Sequence, residues 1–197
     1  MRFTLPIRAR RAALVALLLA AAGCASGPRL YVNSQADLTY YKKIAVIPFR
    51  NLTNERFAGE RVTRSFMTEL VMTEHYEIVD QNEFAAVLDK IGGNPGFEGV
   101  YDPTKVKDAA SQIQVTGVLR GTVTEYAMQR SGTTDIPILA FDAELIDVAT
   151  NNVVWRGSVV RRGKGRVPLF GGGERTHGQL IQDATRDLVH RIEREAF

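Results

Sequence analysis

The chain of 197 residues contains a single cysteine, Cys24. That excludes an intrachain disulfide and a cysteine-built metal cluster. Its three histidines, His75, His177 and His190, are far apart and show no metal-ligand spacing. His177 and His190 share one expected helix but lie thirteen residues apart, not the i, i+4 of a zincin-like pair. There is no G-x-S-x-G nucleophile elbow. Neither Gly92-Gly93 nor the three glycines at 171–173 carries the Lys-Ser/Thr of a phosphate-binding loop. These absences leave no catalytic constellation, no metal site and no cofactor site to expect. Nor does any apolar run approach the about 20 residues that a membrane-spanning helix needs. An excess of charge is also lacking. The formal net of +3 includes Arg2, Arg8, Arg10 and Arg11, in a segment without an acidic residue. Without residues 1–23, 21 basic residues (25 less those 4) face 22 acidic ones, a net of −1. No nucleic-acid partner follows from that balance.

What is present at the amino terminus is a pattern. Four arginines precede an apolar run of about eleven residues, followed by small residues that end at Cys24. This resembles a bacterial lipoprotein signal. The resemblance implies cleavage before Cys24, covalent lipid on that residue, and attachment to a membrane through three acyl chains, where one chain alone binds marginally. Ala21 stands three before the cysteine, where such signals usually have Leu; Leu19 is two further back. The alternatives are an ordinary secreted protein cut near Ala22, or a buried structural thiol. Ala25 and Ser26 follow Cys24 rather than Asp, which by the same resemblance favours the periplasmic face of the outer membrane. The expected organisation is a signal peptide over 1–23, a lipidated N-terminus and polar tether over 24–41, and one domain over 42–197. A tether of seventeen residues reaches at most about 60 Å.

The domain shows a change of hydrophobic period. Residues 42–49 form a β-branched run that predicts a buried strand, with Pro48 near its end. Residues 50–54 predict a polar loop. Val62, Phe66 and Leu70 lie four apart and predict a helix over 55–74. A short strand follows at 76–79. Asp80 and Glu83 fit a capping box opening a second helix that Gly92-Gly93 ends. Asp102-Pro103 predicts an N-cap and first helical position for a short helix to about Gln112. Three longer strands are expected at 115–128, 138–148 and 153–162, the last two joined by a tight turn at 149–152. Leu180, Ile181, Ala184, Leu188, Val189 and Ile192 predict a final helix. The order β-α-β-α-α-β-β-β-α predicts a single-domain α/β sandwich, a mixed sheet packed with helices.

Three segments carry a further resemblance. Residues 44–53 read IAVIPFRNLT, residues 76–80 read YEIVD followed by Phe84 to Leu88, and residues 118–126 read VLRGTVTEY before AELIDVATNNVVW at 143–155. In this order and spacing they resemble the CsgG-like superfamily of bacterial envelope lipoproteins. That group includes the curli secretion channel, and related folds occur in PelC, LpoB and the TolB amino-terminal domain. The resemblance implies a non-enzymatic lipoprotein serving assembly or export of a surface component. It also implies a homo-oligomer working with other envelope or secretion proteins. The alternative it implies is an LpoB-like regulator that binds and activates a peptidoglycan synthase. The curli channel inserts two long hairpins to build its barrel. Here the corresponding connections, 130–137 and 163–175, are too short for paired membrane strands of about 9–11 residues each, so no barrel of its own is expected.

In the loop 161–173, which overlaps the end of the last expected strand, Arg161, Arg162, Lys164 and Arg166 precede Val167-Pro168-Leu169-Phe170. Cations beside an apolar tip suit anionic headgroups or a subunit contact; a solvated loop with Phe170 folded back is the alternative. Asp142, Glu144 and Asp147 are read as a solvated strand face rather than acid–base chemistry, and Trp155 as core or interface.

Overall fold

The computed structural model describes residues 27–95, 100–132, 134–163 and 176–196. These form seven strands and four α-helices: β1 Arg29–Val32, β2 Lys43–Val46, β3 Arg50–Asn51, α1 Ala58–Met72, β4 Glu77–Ile78, α2 Gln81–Lys90, α3 Pro103–Gln112, β5 Gly117–Ser131, β6 Thr134–Asp147, β7 Val153–Arg162 and α4 His177–Ala196. All seven strands belong to one open mixed sheet in the order β1-β7-β6-β5-β2-β4, with β3 also beside β5. The strands joined by hairpins, β5, β6 and β7, pair antiparallel. β2 pairs parallel with both β4 and β5, across helical crossovers.

Alternation along β2 shows how the layers are made. Ile44 and Val46 point to one side, where α1 and α4 bury Val62, Phe66, Leu70, Leu180 and Leu188 against Leu139, Phe141, Leu145 and Trp155. Ala45 and Ile47 point to the other side, where α2 and α3 bury Phe84, Leu88, Ala109 and Ala110. The helix starts follow the expected chemistry. Asp80 accepts from the Asn82 and Glu83 N–H groups, and Asp102 from that of Thr104 behind Pro103. The mixed α/β sandwich is thus as the sequence predicts.

Several boundaries differ. The strand expected over 42–49 is interrupted at exposed Pro48, which lacks an N–H; the chain rejoins β5 as β3, inside the expected loop. The Phe49 N–H turns instead to the buried Thr63 hydroxyl at 2.8 Å. The segment read as a tether enters the sheet at Arg29. There β1 pairs with β7, and Leu30 and Val32 pack against the core. Its polar composition concealed an edge strand of only four residues with one apolar face. The connection expected over 130–137 shrinks to a tight turn, because β5 and β6 stay paired out to Ser131 and Thr134.

A candidate interaction face

Helices α2 and α3 cover the sheet only over β2, β4 and the start of β5. Beyond them, the same side of β5, β6, β7 and β1 carries no helix among the described residues. Register sorts its side chains into rows. One row runs Arg120, Glu144, Arg156 and Tyr31 across β5, β6, β7 and β1. The next runs Thr122, Asp142, Ser158 and Arg29, with Arg50 of β3 beside Thr122. Toward the hairpin end come Glu125, Ala140 and Val160, then Ala127, Ile138 and Arg162. Tyr31 and Val160 are exposed large apolar side chains on this face, at 57% and 56%.

Glu144 is the anchor of the first row. Its side chain is 8% exposed, while those of Arg120 and Arg156 are 46% and 57% exposed. Arg120 Nε donates to Oε1 at 2.7 Å and Arg156 Nε donates to Oε2 at 2.6 Å, with Arg156 Nη2 donating to the same oxygen. The reading of Asp142, Glu144 and Asp147 as a solvated face is corrected here. Two guanidiniums roof Glu144, and Asp147 is buried as the hub of the β6–β7 turn. Asp147 Oδ1 accepts from the Thr150 N–H at 2.6 Å and hydroxyl at 2.7 Å, and Oδ2 accepts from the Tyr41 hydroxyl at 2.9 Å. Burial alone raises the Asp147 pKa, but these bonds outweigh it and hold it below the ordinary carboxylate value. Half-buried Asp142 goes the other way. Burial first, and the charge of Glu144 second, raise its pKa against the opposing Arg156.

Where α3 meets this face lies a cavity of about 270 Å³. Its walls include Ile47, Val100, Tyr101, Val106 and Ile146, and its polar rim includes Arg50, Lys107, Arg120, Thr122 and Asp142. Gly121 lies in the sheet beneath the cavity and faces the α1–α4 core, where an added Cβ would lie 2.4 Å from the Asp142 carbonyl oxygen and 2.6 Å from the Phe49 ring. Lys107 Nζ donates to the Ala149 carbonyl at 2.9 Å, tying α3 to the turn. A second, broader groove lies between α1 and α4, where the Tyr126 and His177 rings stack at 4.3 Å. No group of three or more His, Cys, Asp or Glu residues that could hold a metal occurs among the described residues.

Of the residues singled out from sequence, Arg161 and Arg162 are placed on opposite sides of β7. Arg161 points toward α4 and pairs with Asp187 at 2.6 Å. Arg162 is exposed on the open face, opposite Ile138. Cys24, Lys164, Arg166, Leu169 and Phe170 lie outside the described residues. Trp155 is core, 1% exposed. The Arg120–Glu144–Arg156 row escaped sequence reading. The signal for it was a charge of alternating sign on three successive strands, which becomes a row only once the register is known. No described helix is long and apolar enough to cross a membrane.

A family model described as the peptidoglycan-synthase activator LpoB matches residues 25–160. No match was found among curated proteins. Among solved structures the chain is similar to the PelC dodecamer from Paraburkholderia phytofirmans, with 20% identity, a TM-score of 0.57, and coverage of 82% of this chain and 94% of that one. It is similar to lipoprotein GNA1162 from Neisseria meningitidis, with 18% identity, a TM-score of 0.53, and coverage of 78% and 99%. It is also similar to the LpoB C-terminal domain from Salmonella enterica, with 17% identity, a TM-score of 0.48, and coverage of 76% and 93%.

Proposed function

Because this chain belongs to the family of peptidoglycan-synthase activators LpoB, we propose that it is a non-enzymatic envelope lipoprotein that binds and activates a peptidoglycan synthase. The single observation supporting this is the family match over residues 25–160, which takes in β1, β5, β6 and β7 up to Val160. In this reading the domain brings no reacting group. It binds the active conformation of the synthase more tightly than the inactive one and so shifts the population. Tenfold activation needs a preference of only about 1.4 kcal/mol. The activator reading therefore takes precedence over the export role that the CsgG-like resemblance first implied.

Lipid on Cys24 would hold the domain to the periplasmic face of the outer membrane. The sheet begins at Arg29, five residues on, and five extended residues span at most about 18 Å. The partner must therefore present its docking element close to the membrane. The test is reconstitution. Adding the purified full chain to the peptidoglycan synthase of the source organism should raise its glycan-polymerisation rate. The absence of both binding and a rate change would overturn the reading. Cys24→Ser should move the protein to the soluble fraction, whereas unchanged membrane retention would count against lipidation.

A second reading, a ring-forming homo-oligomer of the CsgG-like superfamily, draws support from the likeness to a PelC structure that is a dodecamer. Light scattering on detergent-extracted protein should then give a protein mass several times that of one chain running from Cys24 to Phe197. A strict monomer at high concentration would sink it.

A further inference from the structure

We propose that the open side of β5, β6, β7 and β1 is the docking surface, and that it takes an acidic protein surface carrying a protruding apolar side chain. This rests on the activator reading and names the face through which it would act. The charge on this face is lopsided. Arg29, Arg50, Arg120, Arg156 and Arg162 lie on it, and Lys107 stands at its rim. Against these six cations stand Glu125, Asp142, Glu144 and, in the cavity wall, Asp147; Glu144 is buried and already bonded to two of the arginines, and Asp147 is buried and bonded to Thr150 and Tyr41. The chain from Cys24 onward is close to neutral, with a net of −1, so the excess is local to the face.

Glu144 does more than cancel charge. By accepting from the Nε of both arginines it fixes their stems across the sheet, while about half of each side chain stays in water. The guanidiniums are thus ordered before a partner arrives, and less side-chain entropy is lost when carboxylates bind them. The cavity beside Arg120 supplies the other half of a hot spot. It is an apolar hollow of about 270 Å³ rimmed by cations, suited to one inserted aliphatic or aromatic side chain. Tyr31 and Val160 extend the apolar contact away from it. Acidic groups around an apolar anchor match this arrangement; a basic partner would meet like charge at most contacts.

The probe is the purified periplasmic part of the synthase from the source organism, titrated against the full chain in detergent. Arg29→Glu with Arg162→Glu reverses two exposed charges on the face. Thr122→Trp fills the cavity with a residue that strands tolerate. Lys90→Glu with Arg194→Glu makes the same net charge change away from the face. The charge pair should weaken binding by about tenfold or more, with a flatter salt dependence. Thr122→Trp should weaken it with the salt dependence kept, and the control pair should bind as the unaltered chain does. Thermal unfolding confirms that each variant folds. If the unaltered chain binds and the face variants bind equally well, this inference fails and the activator reading stands. If the unaltered chain does not bind, both fail. If the face variants keep synthase binding but lose binding to phosphatidylglycerol vesicles, the face meets lipid and the inference is overturned.

Discussion

Glu144 and its two arginines make an asymmetric prediction. Glu144 is buried, whereas Arg120 and Arg156 are each about half exposed. Arg120→Met with Arg156→Met keeps the apolar stems but leaves a carboxylate under the surface without a cation. Breaking a buried pair in this way costs about 3–5 kcal/mol, a large share of the about 5–15 kcal/mol that holds a domain together. Glu144→Gln removes the buried charge instead. It leaves two guanidiniums that water can reach, and the Gln carbonyl can still accept one bond, so the cost is about 1–2 kcal/mol. The triple variant has neither the buried charge nor its partners. It should be more stable than the double Met variant, although it carries one more substitution. Urea unfolding of residues 25–197 measures all three against the parent. Equal costs for the double Met variant and Glu144→Gln would refute the reasoning. So would a triple variant whose cost equals the sum of the two.

Three further outcomes follow from other sites. Burial, with the Glu193 charge second and the Trp155 side chain opposing, pushes the Tyr76 hydroxyl up to about 12. It stays protonated in the fold after the unfolded chain ionises near 10, so stability should fall by about 1.4 kcal/mol per pH unit between pH 10 and 12. Tyr76→Phe should flatten that fall in unfolding curves across this range, and an unchanged slope would assign it elsewhere. Asp142 is the opposite of a stabilising acid: its raised pKa costs stability at neutral pH. Asp142→Asn should therefore gain stability at pH 7, and the gain should fade as pH falls through the raised folded pKa and be gone below 3.8; a loss at pH 7 would contradict this. At Gly157 an added Cβ would lie 2.4 Å from Leu188 Cδ1, so Gly157→Ala should cost about 1–3 kcal/mol by overpacking. Leu188→Ala in the same chain should relieve part of it, and strict additivity of the two costs would exclude that contact as the cause.

The helices and long strands were legible because their periods are carried by many residues. Val62, Phe66 and Leu70 make one stripe, and Leu139, Phe141, Ala143 and Leu145 one face. The open face was not legible, for a reason that can be located. Counting back from the 149–152 turn, where Asp147 pairs with Asn152, sets Glu144 opposite Trp155. A register shift beyond Ile146 moves the pairing by one residue. Glu144 then meets Arg156, and Trp155 turns to the α1–α4 core opposite Leu145. A one-residue slip exchanges the faces of a strand, so the chemistry of this surface hung on a bulge that no hydrophobic pattern announces. β1 was missed for a different reason. Four residues with two half-buried apolar side chains are too few to show a period, and the pairing partner β7 lies more than a hundred residues away.

The central claim is that this domain activates a peptidoglycan synthase by binding it. It is tested most directly by the rate of glycan polymerisation as the full chain is titrated into the purified synthase. The account predicts a saturable rise, shifted to about tenfold or more higher concentration in the Arg29→Glu, Arg162→Glu variant and unshifted in the Lys90→Glu, Arg194→Glu control. A flat rate at saturating concentrations of the unaltered chain would contradict it.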